Sequence, residues 1–195
     1  MGITEPFPYG RQMRVIGTVG LPGSGKGEFA EVARQRDVPV VVMGDVIRAE
    51  CRRRGLDPAD HHGAVAQKLR EEDGKLAIAE RSLPLVEKSL AWNDTVVVDG
   101  IRSDVEAMRF REEYGEDFLL VGIKADFDDR LDRVDLRARD TSADDGGESL
   151  KARDERELGF GMGAAILRAD VLVDNDGSLE AFHERVEAIL DGDHE

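Results

Sequence analysis

Cysteine is almost missing from this chain: Cys51 stands alone among 195 residues. A single thiol closes no internal disulfide, which fits a reducing compartment, and a cytoplasmic protein is expected. Long apolar runs are missing too. The longest, near residues 38–43 and 118–123, fall far short of the ~20 residues that cross a bilayer. No basic start with an apolar stretch and a small-residue cleavage site opens the chain, so no secretory signal is expected. Lysine is scarce, with 6 Lys beside 21 Arg, against 42 Asp plus Glu and a net charge of −15. Such a surface repels nucleic-acid phosphates and excludes general DNA or RNA binding. Heavy acid with little lysine is also the balance of a protein from concentrated salt, where screening removes the self-repulsion. Hydrophobic residues still make up 41% of the chain, enough for a packed core and too many for an acidic disordered one.

What is present is an alternation. Residues 1–12 carry two prolines and two glycines without periodicity and are expected to form a flexible tail, with Met13 a candidate start. Strands are expected at 14–19, 39–43, 95–99, 118–125 and 171–173. Helices are expected at 26–36, 46–54, 59–72, 75–90, 104–114, 127–139, 150–158 and 179–190. Short β-rich runs alternating with longer helices point to an α/β fold, a five-stranded parallel sheet covered on both faces. Ser103 and Glu106 make a capping-box pattern, and Gly115 closes the same helix. Residues 140–148 are polar and glycine-bearing and read as a surface loop. Without repeats or large composition shifts, residues 13–195 read as one domain.

The sharpest signal is Gly20-Leu21-Pro22-Gly23-Ser24-Gly25-Lys26-Gly27, between an apolar strand and a helix start. Small residues let successive backbone N–H groups curl around phosphate oxygens, and the helix N-terminus adds its positive dipole end. Lys26 then reaches the β- and γ-phosphates, so ATP is the expected cofactor. The usual hydroxyl that holds Mg²⁺ after the lysine is absent. Glu28 either helps hold Mg²⁺ through water or serves as an acidic first-turn residue.

Three further segments add to it. Asp45 and Arg48 stand three residues apart after the second strand, on one side of a helix's first turn. There Arg48 clamps an acceptor phosphate, while Asp45 takes a hydroxyl proton or orients Mg²⁺. The strand TVVVD ends in Asp99, the position of a carboxylate beside the metal, and Arg102 follows. Arg130, Arg133 and Arg137 recur at helical spacing, with Arg139, Arg153 and Arg156 beyond. Arginines of this kind neutralise charge on a transferring phosphoryl group. His61 and His62 have no second metal-ligand pair at a sensible spacing and read as solvated surface. No Asn-Lys-x-Asp guanine-reading motif occurs.

Gly20–Gly27 resembles the loop of adenylate kinases, which also place glycine after the lysine. Met43-Gly44-Asp45 with Arg48 is similar to their acceptor segment, and Asp99 through Arg102 to the corresponding run of nucleoside monophosphate kinases, shortened by one residue. Residues 137–142 and 169–179 resemble the lid entry and last strand of dephospho-CoA kinases. An archaeal family of adenylate-kinase-related P-loop proteins is the nearest match in the order of its parts. The resemblance implies a nucleotide-kinase-type P-loop fold with an acceptor-binding helical region at 45–90 and a small lid at 137–160. It implies Mg²⁺-dependent transfer of the ATP γ-phosphate to a nucleotide-like small molecule, of nucleoside monophosphate or dephospho-CoA type. Lys26, Asp45, Arg102, Arg133 and Arg137 would then be catalytic, and Glu28 and Asp99 would serve the metal. The competing reading is an ATP-dependent switch, a slow ATPase acting through a protein partner. An acceptor constellation such as Asp45/Arg48 argues against it.

Overall fold

The structure, a computed structural model, describes residues 13–140 and 149–193, and the side chains of these apart from 137–140. The expected tail at 1–12 and most of the acidic loop lie outside the described residues. Five strands pair in parallel: β1 (Arg14–Val19), β2 (Val40–Val42), β3 (Thr95–Asp99), β4 (Phe118–Lys124) and β5 (Val171–Asp174). Their order is β2-β3-β1-β4-β5, with β1 central and Val15 in register with both Val96 and Phe118.

Side chains along a strand alternate between the two faces, and both faces here are covered, so the central strands are apolar throughout. Val15, Val96, Val98 and Leu120 belong to one core. They pack with α2 (Met43–Arg53), α3 (Pro58–Asp73), α4 (Ala77–Leu90), α5 (Asp104–Tyr114) and α8 (Met162–Leu167). Ile16, Val97, Val121 and Ile123 face the other way, onto α1 (Lys26–Gln35) and α9 (Leu179–Asp191). Two further helices, α6 (Phe127–Asp140) and α7 (Leu150–Gly159), lie between β4 and α8 along the chain.

Boundaries follow the local chemistry closely. Ser103 accepts from the Glu106 N–H at 3.3 Å, while the Glu106 carboxylate reaches one residue further back, to the Arg102 N–H at 2.9 Å. Asp57 caps α3 by accepting from the Ala59 N–H at 2.9 Å, with Pro58 as the first helical residue. Two elements differ from expectation. α2 begins at Met43, directly after β2, so Asp45 and Arg48 lie inside the helix and the strand is shorter than expected. α8 was not expected at all, because six residues hold too little of the 3.6-residue period to register.

In open parallel sheets ligands sit beyond the carboxyl ends of the strands, where neighbouring connections diverge. Here β1 leads through α1 to β2 on one side, while its neighbour β3 leads through α5 to β4 on the other. The ends of β1 and β3 therefore frame the crevice.

Candidate functional site

The loop from Gly20 to Gly27 joins the end of β1 to the start of α1. Its left-handed glycines are held from behind. Gly23 has φ +79° with the Arg130 carbonyl 2.9 Å from where a Cβ would stand, and Gly25 has φ +118° with the Asn175 amide against it. Side chains in either place would push the loop off its support. Asn175 is buried and donates to the Ser24 carbonyl at 2.9 Å. Arg133 donates to the Asn175 carbonyl at 2.5 Å and to the Gly23 carbonyl at 3.4 Å. Arg130 donates to the Pro22 carbonyl at 3.0 Å and meets Asp154 of α7 through two bonds of 2.8 and 2.7 Å. The carbonyls of Pro22, Gly23 and Ser24 are thus bound from behind, and the opposite side of the loop is open. Ser24 Oγ is buried within the loop, beside Gly20, without a partner.

That open side is a cavity of about 260 Å³, lined by the loop from Pro22 to Gly27, Asp99 to Arg102, and Arg153, Arg156 and Glu157 of α7. Lys26 donates to the carbonyls of Gly20 and Leu21, the latter at 3.1 Å. Burial lowers its ammonium to about 8, although Asp99 and Glu157 pull the other way. Thr18 Oγ1 lies 3.4 Å from Asp99 Oδ1 at the adjoining strand ends.

A smaller cavity of about 190 Å³ adjoins it, lined by Lys26, Asp99, Gly100 and Arg102 together with Gly44, Arg48, His62 and Arg70. Beyond lies a wider cleft of about 550 Å³ between α2, α3 and α7, which reaches Ile47, His62, Ala66, Arg70, Arg102, Arg156 and Phe160. Arg102 borders all three spaces. Its guanidinium pairs with the buried Glu157 carboxylate.

The expected site residues fall into two groups. Pro22 to Gly27, Asp99, Arg102 and Arg48 meet around adjoining cavities. Glu28, Arg133 and Asp45 do not line them. Glu28 meets His183 Nε2 of α9 at 2.7 Å and does not line the loop cavity. Arg133 supports the loop from behind. Asp45 is exposed and pairs with Arg48, Oδ1 to Nη2 at 2.7 Å. The Arg137 side chain lies outside the described residues. Sequence reasoning missed Glu157, Arg70 and the Asn175 clamp, and it read His62 as solvated. His62 is half-buried instead, with its imidazole pKa lowered by burial and by Arg102, Arg48 and Arg70. Asn175 carried a signal in its place after the last strand; nothing in the local sequence marks Glu157.

The residues fit a nucleotide phosphate through the clamped loop, the unpartnered Ser24 Oγ and Lys26. For Mg²⁺, Asp99 is the fitting carboxylate; Gly27 supplies no hydroxyl. Among the described residues, no group of three or more His, Cys, Asp or Glu side chains is placed to hold a metal by itself. Among them also, no helix is long and apolar enough to cross a membrane.

A family profile described as an AAA domain matches residues 19–151. A UPF0200 protein of Halobacterium salinarum is 56% identical over 181 residues, covering 93% of this chain and 94% of that protein. A UPF0200 protein of Methanothrix thermoacetophila is 47% identical over 182 residues, covering 92% and 97%. Among solved structures, TT1252 from Thermus thermophilus matches with a TM-score of 0.63 at 18% identity, over 93% of this chain and 98% of that one. A shikimate kinase from Bacteroides thetaiotaomicron matches with a TM-score of 0.58 at 16% identity, over 92% and 99%. At such identities the structural matches speak for the fold alone, a kinase-like P-loop fold. With relatives this similar over nearly its whole length, the chain belongs to the UPF0200 family of archaeal proteins.

Proposed function

We propose that the chain transfers the γ-phosphate of ATP, with Mg²⁺, to a small nucleotide-like acceptor. One observation carries the reading: the phosphate-loop cavity adjoins a second space, and Lys26, Asp99 and Arg102 line both. A donor and an acceptor can therefore meet across a shared wall, an arrangement that holding a nucleotide alone does not require. Loop N–H groups and Lys26 hold the β- and γ-phosphates, and Asp99 holds the cation's water shell. Bound Mg²⁺ supplies neutralisation of the phosphate charge. Arg102, at the junction, and Arg153 and Arg156 of α7 bring positive charge to the loop cavity. The helices from α2 to α4 form the acceptor side, with Arg48 reaching the cavity and Asp45 orienting it. Residues 137–160 serve as the lid.

A neighbouring fold, a shikimate kinase from Acinetobacter baumannii at a TM-score of 0.55, is described in complex with shikimate. That supports a small-molecule acceptor. Purified protein in molar salt, given ATP and Mg²⁺, should be screened against nucleoside monophosphates, dephospho-CoA, shikimate and small phosphorylated metabolites. One of them is expected to be phosphorylated, and Lys26→Ala to lower the transfer ~10²–10³-fold. ATP hydrolysis that no acceptor stimulates would replace this reading by the switch. Asp45→Asn divides the roles further. A ~10²–10⁴-fold fall in kcat identifies Asp45 as proton acceptor, whereas a rise in KM alone leaves it the orienter of Arg48.

A further inference from the structure

We propose that the wide cleft between α2, α3 and α7 binds an acceptor carrying its own anionic group, a phosphate monoester attached to a flat or apolar body. The anion seats on Arg70 and Arg102 beside His62, and His62 receives a proton as it does so. This rests on the phosphotransferase reading and moves the anchoring charge away from the Asp45–Arg48 pair.

The cleft, about 550 Å³, has two kinds of wall. Ile47, Ala66 and Phe160 are apolar, while Arg70, Arg102 and Arg156 bring guanidiniums. A purely apolar ligand would strip water from the Arg70 guanidinium and offer it nothing in exchange, and inorganic phosphate would leave the apolar wall empty. A ringed phosphate monoester satisfies both. Arg70 is well suited to exchange partners. Its pair with Glu106 is long, at 3.5 Å, and its guanidinium lies 5.8 Å from the Phe160 ring centre. Glu106 is buried, burial pushes its carboxyl pKa up, and the Arg102 N–H already donates to it at 2.9 Å. It therefore keeps a hydrogen-bond partner when Arg70 turns to a ligand.

His62 lies where this cleft and the smaller cavity meet. The charged groups around it are Arg48 of α2, Arg70 and Glu71 of α3, Arg102 after β3, Arg156 of α7, and Lys26 and Asp99 across the smaller cavity. Burial first, then Arg102, Arg48 and Arg70, lower the pKa of the free imidazole, although Glu157, Asp45 and Glu106 pair with those arginines. A dianion on Arg70 and Arg102 reverses that local balance and favours the imidazolium, which then donates to the anion. Because the bound form holds the extra proton, affinity rises as pH falls through the interval between the free and bound imidazole pKa values. The slope is at most tenfold per pH unit for one proton.

The test uses full-length protein carrying Lys26→Ala, which disables the loop cavity, in molar KCl, with phenyl phosphate as probe and inorganic phosphate as comparison. Calorimetry in two buffers of different ionisation enthalpy counts protons taken up, and ring ¹⁵N NMR follows His62. Expected results are tighter binding of phenyl phosphate than of inorganic phosphate, a shift of the His62 ring signals, and proton uptake that His62→Gln removes. The probe's own second ionisation persists in His62→Gln and so is subtracted. Arg70→Gln should weaken binding at least tenfold; if that variant is unfolded, the His62→Gln comparison and the ring signals still decide. Unmoved His62 signals, uptake unchanged in His62→Gln, or equal affinity in a folded Arg70→Gln would each overturn the proposal. Phenyl phosphate seated as expected in a chain that phosphorylates no acceptor would overturn the phosphotransferase reading and leave the anion site standing. Transfer to an acceptor whose KM ignores Arg70→Gln would do the reverse.

Discussion

Arg130 and Arg48 are both arginines paired with an aspartate, and the two pairs hold opposite sides of the site. The Arg130–Asp154 pair is buried behind the phosphate loop, doubly bonded, and ties α6 to α7. The Arg48–Asp45 pair stands on the surface of α2, one turn apart, with side chains 37% and 59% exposed. The loop side is thus braced by buried polar groups whose loss leaves charges unpaired. The α2 side carries this pair in or near solvent, where it can change partners. A loop that must present fixed N–H groups needs the first arrangement; a cleft that must admit and release a ligand needs the second.

Four mutations sharpen or break this contrast. Arg130→Ala should have the largest effect, about 3–5 kcal/mol of stability, because Asp154 is left charged and buried. Denaturant unfolding in molar salt measures it, and a loss below about 1 kcal/mol would make the two pairs equivalent. Lys26→Ala should lower turnover ~10²–10³-fold, the scale of losing one aligned charge donor in a phosphate site. Its unfolding midpoint should not fall, since burial opposes the ammonium. In the parent, nucleotide affinity should decline as pH rises through about 8, where Lys26 loses its proton in the free protein. An affinity flat from pH 7 to 10 would remove Lys26 from the phosphate contacts.

Asn175→Ala should cost about 1–3 kcal/mol, the penalty of leaving the buried Ser24 carbonyl without its donor. It should weaken nucleotide binding as well, because the loop loses its brace; unchanged binding would mean that the arginines hold the loop alone. Smallest is Arg48→Ala, within about 1 kcal/mol in stability because an exposed pair contributes little. A loss matching that of Arg130→Ala would erase the distinction between the two sides.

How much of this was legible follows the same division. The loop, its strand and the carboxylate at the end of β3 were readable because each is a short contiguous pattern whose backbone does the chemistry. The parallel sheet was readable because β-rich runs and helical runs alternate. α2 starting at Met43 was not, since a strand and a helix compete over Met43 and Gly44 and only packing against the sheet decides between them. The expectation that Glu28 serves the metal came from its position in the chain, yet its carboxylate is turned to His183 on α9, 155 residues away. The reading of His62 as solvated failed for the same kind of reason. No neighbour in sequence shows that α3 turns this imidazole toward Arg48, Arg70 and Arg102.

By itself, then, the sequence determined the class of fold, the phosphate loop and the strongly acidic net charge. These depend on period, on glycines within a few residues, and on net charge, all of which are local or additive. The tertiary structure alone decided that Asn175 and Arg133 brace the loop, that Glu157 meets Arg102 across 55 residues, and that three guanidiniums and an imidazole share one cleft. Those relations join side chains from different helices and strand ends. Their energies depend on distance and burial, which exist only after the chain has packed.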